Sequence, residues 1–257
     1  MNVPHKTIRI YSSWYRHLKV YSKNFFSNCF PPIIEPLIFM IGIGLGLSQY
    51  IKSMDNLPYI QFLAIGLPLA SALFTAAFEC SYGTYIRLEY NKVYDYMLSG
   101  PLNIDDIFIG EIIWAGTKGL LFSAIVALIF LVFGVLPLNF EILIIPVLGF
   151  VTSIMVASVS LIFISFIKNI NQINFFITGV ISPMFMFSGT VFPLGNLPPP
   201  IQWVINIFPL AHTVQLARAI YGPYPIHSII LDIIYCIGFT LIFSYIAIQR
   251  MKKIIIK

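Results

Sequence analysis

Apolar runs of about 20 residues, the length that crosses a hydrocarbon core of roughly 30 Å, alternate along this chain with short polar stretches. Six such runs stand out: Ile33–Ile51, Tyr59–Cys80, Ile107–Phe133, Ile142–Ile167, Ile173–Phe192 and Ile229–Ile248. The third and fourth exceed the minimum and have room to tilt or to extend past the lipid. The most polar interval, Glu79–Glu111, holds eight of the 25 charged residues. Within it Ile86, Leu88, Tyr90, Val93, Tyr94, Met97 and Leu98 recur at helical spacing. The pattern predicts one or two short helices against the membrane with a docking surface turned to water.

Composition and charge sharpen this into an all-α polytopic membrane protein, a single unit over residues 1–257. Only 10% of residues are charged and 58% are hydrophobic, which excludes an ordinary soluble domain. Five basic residues (Lys6, Arg9, Arg16, Lys19, Lys23) precede the first span, and Arg250, Lys252, Lys253 and Lys257 follow the sixth. With Arg87, Lys92 and Lys168 this face carries 12 of the 15 basic residues, so both termini are expected to be cytoplasmic in a bacterial inner membrane. The basic residues sit where anionic lipid headgroups lie, so a nucleic-acid partner is not expected. Residues 1–32 read as a cytoplasmic interfacial segment whose basic, aromatic part, Ile8–Phe30, is an amphipathic helix or else a basic tail that signals topology, and no cleavable signal peptide is expected. Cys29, Cys80 and Cys236 have no metal or disulfide spacing and read as buried small hydrophobes.

Ionisable residues inside spans are transport candidates by default. Here they are Glu35, Glu79, Glu111 and Lys118. Lys118 lies ~16 Å along the helix from Ile107 and needs a partner or an aqueous path. Glu79 or Glu111 can supply the partner, and a structural pair and a cargo contact are both open readings. Gly42 and Gly46 are spaced for close helix packing. The four histidines are dispersed and no nucleophile or metal motif occurs, so no catalytic site, metal or cofactor is expected in this chain.

The stretch around residues 193–228 departs from plain span chemistry. Pro183, Ser188-Gly189 and Pro193 interrupt the fifth run, two amphipathic pieces, Ile201–Phe208 and Leu210–Tyr221, follow on either side of Pro209, and Phe187, Ser188, Gly189, Phe192, Pro193, Pro209 and Arg218 are the candidates for an outer gate. Short helices dipping into the outer leaflet fit this, either as a gate on an exit path or as a membrane-hugging cap.

Four segments carry a resemblance to a known family: EPLIFMIGIGLGL (35–47), FECSYGTYIRLE (78–89), LSGPLNIDDIFIGEIIWAGTKG (98–119) and FSGTVFPLGNLPPPIQWVINIFPLAHTVQLAR (187–218). They resemble the membrane subunit of ABC-2-type exporters, and within that superfamily the nodulation protein J type; the Glu111, Ala115, Lys118 spacing resembles that branch. The resemblance implies a homodimeric permease working with two cytoplasmic ATPase subunits, which bind the ATP and Mg, and exporting an amphiphile such as a lipo-oligosaccharide, a lipid-linked glycan or a drug. It places ATPase coupling in the 81–106 loop, at Tyr90, Lys92, Tyr94, Asp95, Met97 and Leu98, and the outer re-entrant helices at Phe192–Arg218. The sequence contains no G-x-x-x-x-G-K-[ST] phosphate loop, which agrees with an external energy source. A proton-coupled carrier would transport without a second subunit, and a membrane scaffold would not transport at all.

Overall fold

The computed structural model describes residues 4–23, 25–55, 57–222 and 224–256. Lys257, counted above among the basic residues, lies outside them. Among the described residues the only strands form a small hairpin, Ser53–Met54 antiparallel to Leu57–Pro58. Among the described residues six helices are long and apolar enough to cross a membrane: Asn28–Ser48, Tyr59–Tyr90, Ile104–Val132, Phe140–Ile164, Ile170–Phe187 and Ile226–Ile255, here spans one to six. The chain is a multi-pass membrane protein.

Sequence patterning ends the second span at Cys80, whereas the helix continues to Tyr90 through two π-helical segments, Glu79–Gly83 and Ile86–Tyr90. It continues because Glu79 and Arg87 are paired within the protein, so the first charge is no reason to leave the bundle. The chain then turns at Lys92, whose backbone is left-handed (φ 48°), into the short helix Val93–Leu98. Span three starts at Ile104, where the Asp106 carboxylate accepts the Asn103 N–H at 3.1 Å.

Span two is the centre of the bundle. Its most apolar window is 83% buried, against 17%, 22% and 11% for spans one, five and six, which form the periphery. Spans three and four cross closely because small residues face each other. A side chain on Gly119 would come within 1.7 Å of Ser153 Oγ, and one on Gly149 within 2.1 Å of Ser123 Oγ. Gly42 and Gly46, by contrast, have open space where a side chain would stand, so among the described residues no helix crosses closely there. Proline opens span one in a controlled way. Pro36 has no N–H for the Pro32 carbonyl four residues back, and Ser71 on span two donates to that carbonyl at 2.7 Å instead.

The N-terminal helix Lys6–Ser22 packs on span three through Ser13, His17 and Tyr21, all on one face. Trp14 Nε1 donates to Thr117 Oγ1 at 3.0 Å, while Tyr11 and Tyr15 remain exposed. Arg9 pairs with Asp106 at 2.9 Å, and Lys252 of span six pairs with Asp105 at 2.7 Å. Adjacent aspartates at the start of span three therefore gather both ends of the chain on one face, called here the terminal face.

The two amphipathic pieces beyond span five are the helices Pro199–Ile205 and Pro209–Arg218. The second is buried through Leu210, Ala211, Thr213, Val214 and Ala217, whereas Trp203 and Val204 of the first are exposed.

Gly119→Val and Gly149→Val should each destabilise the solubilised chain by about 1–3 kcal/mol, as overpacking of a close contact does. Gly42→Ala and Gly46→Ala should leave it unchanged or slightly steadier, because helical Ala is favoured over Gly where there is room. Size-exclusion profiles after graded heating distinguish the two pairs.

Candidate functional site

Two acids and two bases meet between spans two and three, in the half of the bundle nearer the terminal face. Lys118 Nζ lies 2.8 Å from Glu79 Oε2, and Arg87 Nη1 lies 2.7 Å from Glu79 Oε1. Arg87 Nη2 reaches Glu111 Oε1 at 2.6 Å. Thr84 Oγ1 also donates to Glu111 Oε1, and Tyr94 OH donates to Glu111 Oε2 at 2.7 Å. The order Lys118, Glu79, Arg87, Glu111, Tyr94 is thus continuous, with signs alternating along it and no net charge left over. Alternation is what permits burial: Glu111 is 0% exposed and Glu79 13%, and neither carboxylate lacks a cation.

Helix geometry aims these groups. Glu111 and Lys118 lie seven residues apart on one face of span three, and the extension of span two carries Glu79, Thr84 and Arg87 past that face. The short helix Val93–Leu98 then folds back, so that Tyr94 is 1% exposed and its ring lies tilted against that of Phe108, with ring centres 5.2 Å apart. Burial first, and the Glu111 charge second, hold the Tyr94 phenol protonated, well above its ordinary range.

The structure brings Glu79, Glu111 and Lys118 together and leaves Glu35 apart on span one, with no ion-pair partner among the described residues. Arg87, read from sequence only as a topology charge, stands between the two carboxylates. A signal for it existed in the equal number of acids and bases among Glu79, Arg87, Glu111 and Lys118. Of the residues expected to face a partner, Tyr90, Lys92 and Asp95 are exposed, whereas Tyr94 is buried and Met97 and Leu98 turn toward the core. Tyr94 turns inward because its hydroxyl completes the Glu111 site. Tyr96, which the sequence reading passed over, is 76% exposed on the same short helix.

The far end of the network opens on a cleft of about 720 Å³ between spans one, two and five. Lys118 and Glu79 lie in its wall beside Tyr21, Phe39, Phe74 and Phe185, and Glu35 lies on the span-one side. The Lys118 ammonium also sits over the Tyr21 ring, 4.5 Å from its centre. The cleft therefore pairs an aromatic, apolar body with a polar end near the terminal face.

On the opposite face, the break after span five is held by Arg218. Its guanidinium donates to the Gly189 carbonyl and lies 3.6 Å from the centre of the Phe62 ring. Gly189 takes φ +80°, and the turn passes so close to span two that a side chain on Gly66 would meet the Thr190 backbone at 3.2 Å. Ser188 is buried, with its hydroxyl on the Met184 carbonyl. Phe187 and Phe192 meet edge to face at 6.1 Å, Pro193 is buried, and Pro209 begins the buried outer helix. His212 on that helix pairs with Asp232 of span six at 2.7 Å.

The profile of the ABC-2 type transporter membrane domain matches residues 9–221, from the N-terminal helix to the end of the outer helix pair. The chain belongs to the ABC-2 type transporter family. This ABC-2 permease is similar to nodulation protein J of Rhizobium meliloti, 30% identical over 207 residues that cover 80% of this chain and 79% of the relative. It is also similar to nodulation protein J of Rhizobium leguminosarum bv. trifolii, 30% identical over 83% of this chain and 81% of the relative. A more distant likeness, 22% identical over 84% and 82%, is to the inner membrane transport permease YadH of Escherichia coli.

Two predictions follow from the network of this ABC-2 permease. Arg87→Met strands two carboxylates with one cation and should cost about 3–5 kcal/mol of stability, the usual loss when one partner of a buried pair is removed. Lys118→Met should cost less, because Arg87 still holds Glu79, and Arg87→Met combined with Glu111→Gln should recover part of the loss. Thermal unfolding of the purified variants gives the ranking, and equal losses for Arg87→Met and Lys118→Met would contradict it.

His17 gives a pH test. Stacked on Trp114 and lowered to about 4, first by burial and then by the Arg87 charge, it folds in its neutral form. Its folded pKa lies below the unfolded value, so its contribution is present above pH ~6.5 and is lost as pH falls toward ~4, amounting to about 3 kcal/mol at most. Tryptophan fluorescence should report an acid transition in that window, and His17→Phe should flatten it.

Proposed function

We propose that this chain is the membrane half of an ATP-driven exporter. Two copies would enclose a path for an amphiphilic molecule, and separate ATPase subunits would supply the energy. The observation that carries this reading is the unbroken run of charge contacts from Tyr94, on the helix beside the exposed turn, to Lys118, in the wall of the cleft. A displacement of Val93–Leu98 by a partner cannot leave Glu111 and Arg87 unmoved, because Tyr94 is bonded to both. Arg87 in turn holds Glu79, whose other oxygen holds Lys118. Packed, paired elements of this kind respond as discrete rearrangements rather than by soft bending.

The partner would be a cytoplasmic ATPase docking on Tyr90, Lys92, Asp95 and Tyr96, which mix charge with exposed aromatic surface as docking sites do. ATP and Mg would be bound by that subunit. The excess of basic residues on the terminal face supports a cytoplasmic position for both ends in a bacterial inner membrane. Spans one and five, which border the cleft and are mostly uncovered, are the surfaces a second copy would meet. The resemblance to the nodulation protein J type implies an amphiphile as cargo, whether a lipo-oligosaccharide, a lipid-linked glycan or a drug-like molecule, and the amphipathic cleft suits that broad class.

Single cysteines at Tyr90, Lys92, Asp95 and Tyr96 should crosslink to the ATPase in an assembled complex, and one at Tyr94 should not. Tyr94→Phe should keep assembly and ATP hydrolysis while lowering the amount exported per ATP severalfold. The purified chain alone should show no hydrolysis above background. Transport by this chain in liposomes lacking any ATPase would replace the proposal with a secondary carrier.

A further inference from the structure

The charges in the cleft wall do not balance. Lys118 is engaged by Glu79 at 2.8 Å and covered by the Tyr21 ring, and the second oxygen of Glu79 is engaged by Arg87. The network as a whole is neutral, so Lys118 presents no free cation to an incoming molecule. Glu35 is different: it is exposed, it lines the cleft, and no cation pairs with it among the described residues. It also borders a shallower apolar groove of about 410 Å³ on the other side of span one, formed with Phe30, Ile34 and Ile38, and so stands at the lip between the two.

What stands next to Glu35 has the same electrostatic sign. Phe39 lies four residues further along span one and therefore on the same helical face. Phe39 meets Phe185 of span five with ring centres 5.4 Å apart, and Phe185 meets Phe74 of span two at 5.5 Å. Ring faces carry negative electrostatic potential and attract cations, most strongly where water is excluded. An ammonium head would meet a carboxylate and a bank of aromatic rings. A phosphate or carboxylate head would meet repulsion from Glu35, with no unpaired base in the wall among the described residues to offset it.

We infer that the cleft selects amphiphiles whose polar head is positively charged, with Glu35 as the counter-ion and the Phe39–Phe185–Phe74 cluster as the surface that accepts the cation and the first part of the chain. This rests on the reading of the cleft as the place where cargo is taken up, and it narrows the cargo class within that reading.

The test uses the full chain in nanodiscs of phosphatidylcholine and three photoreactive dodecyl probes that differ in their heads: trimethylammonium, maltoside and phosphate. Labelling of peptides from spans one and five is read per mole of probe in the bilayer, which removes differences in partitioning. The trimethylammonium probe should label these peptides about tenfold more than the phosphate probe, a modest preference for a partly desolvated cation held by a carboxylate and rings. Glu35→Gln should abolish that difference, Glu35→Asp should keep it, and Phe185→Ala should lower labelling by all three probes.

Equal or stronger labelling by the phosphate probe in the unmodified chain overturns the inference. So does a Glu35→Gln protein that keeps the preference but changes oligomeric mass, since Glu35 would then serve a contact between copies. If no probe labels these peptides, or if Phe185→Ala changes nothing, the uptake reading itself falls. That result is separable from a failure of charge selection, in which all three probes label and all three respond to Phe185→Ala.

Discussion

Two carboxylates, a guanidinium and an ammonium placed among apolar helices would each be costly alone. Lys118, Glu79, Arg87 and Glu111 become tolerable there only by neutralising one another in sequence, with Thr84 and Tyr94 taking up remaining lone pairs on Glu111. That requirement reaches far beyond four side chains. Span two must stay helical through Tyr90 to deliver Arg87, the chain must reverse at Lys92, and Val93–Leu98 must fold back to seat Tyr94.

Burial makes the network a poor place for gradual adjustment. In a low-dielectric setting a contact lengthened without a replacement is expensive, so the set holds together or exchanges partners as a whole. If a partner docks at the exposed turn, as proposed, such stiffness would carry its displacement into the membrane. The cleft wall shares Glu79 and Lys118 with the network, so under the proposed reading a displacement through Tyr94 and a molecule binding beside Lys118 would act on the same two residues. Binding and displacement coupled through shared contacts influence each other reciprocally. On the opposite face the fold uses a different device. Arg218 is held by a carbonyl and a ring rather than by an acid, which leaves the turn at Gly189 fixed without a second ionic network.

The six crossings, the gathering of basic residues on one face, the breaks beyond Phe187 and the short helices around Pro209 follow from composition and periodicity alone. Lipid demands apolar length and internally satisfied backbone, and both requirements are local properties of sequence. Local reading failed where a residue's environment is made by another part of the chain. It ended span two at its first charge, because nothing near Glu79 in sequence reveals that Arg87 and Lys118 will accompany it. It turned Tyr94 toward a partner, because helical spacing gives the face of a helix but not which neighbour that face meets. It grouped Glu35 with the other ionisable residues, although only the folded arrangement leaves that carboxylate alone at the lip of a cleft. It did not single out Gly119 and Gly149, where the tight crossing lies and serines on the facing helix decide the fit. What the sequence determined by itself was which segments enter the membrane, since transfer free energy adds up residue by residue. Which charges pair, which aromatic rings face inward and which carboxylate remains free were decided by the tertiary structure, because electrostatic and packing energies depend on distances between residues remote in the chain.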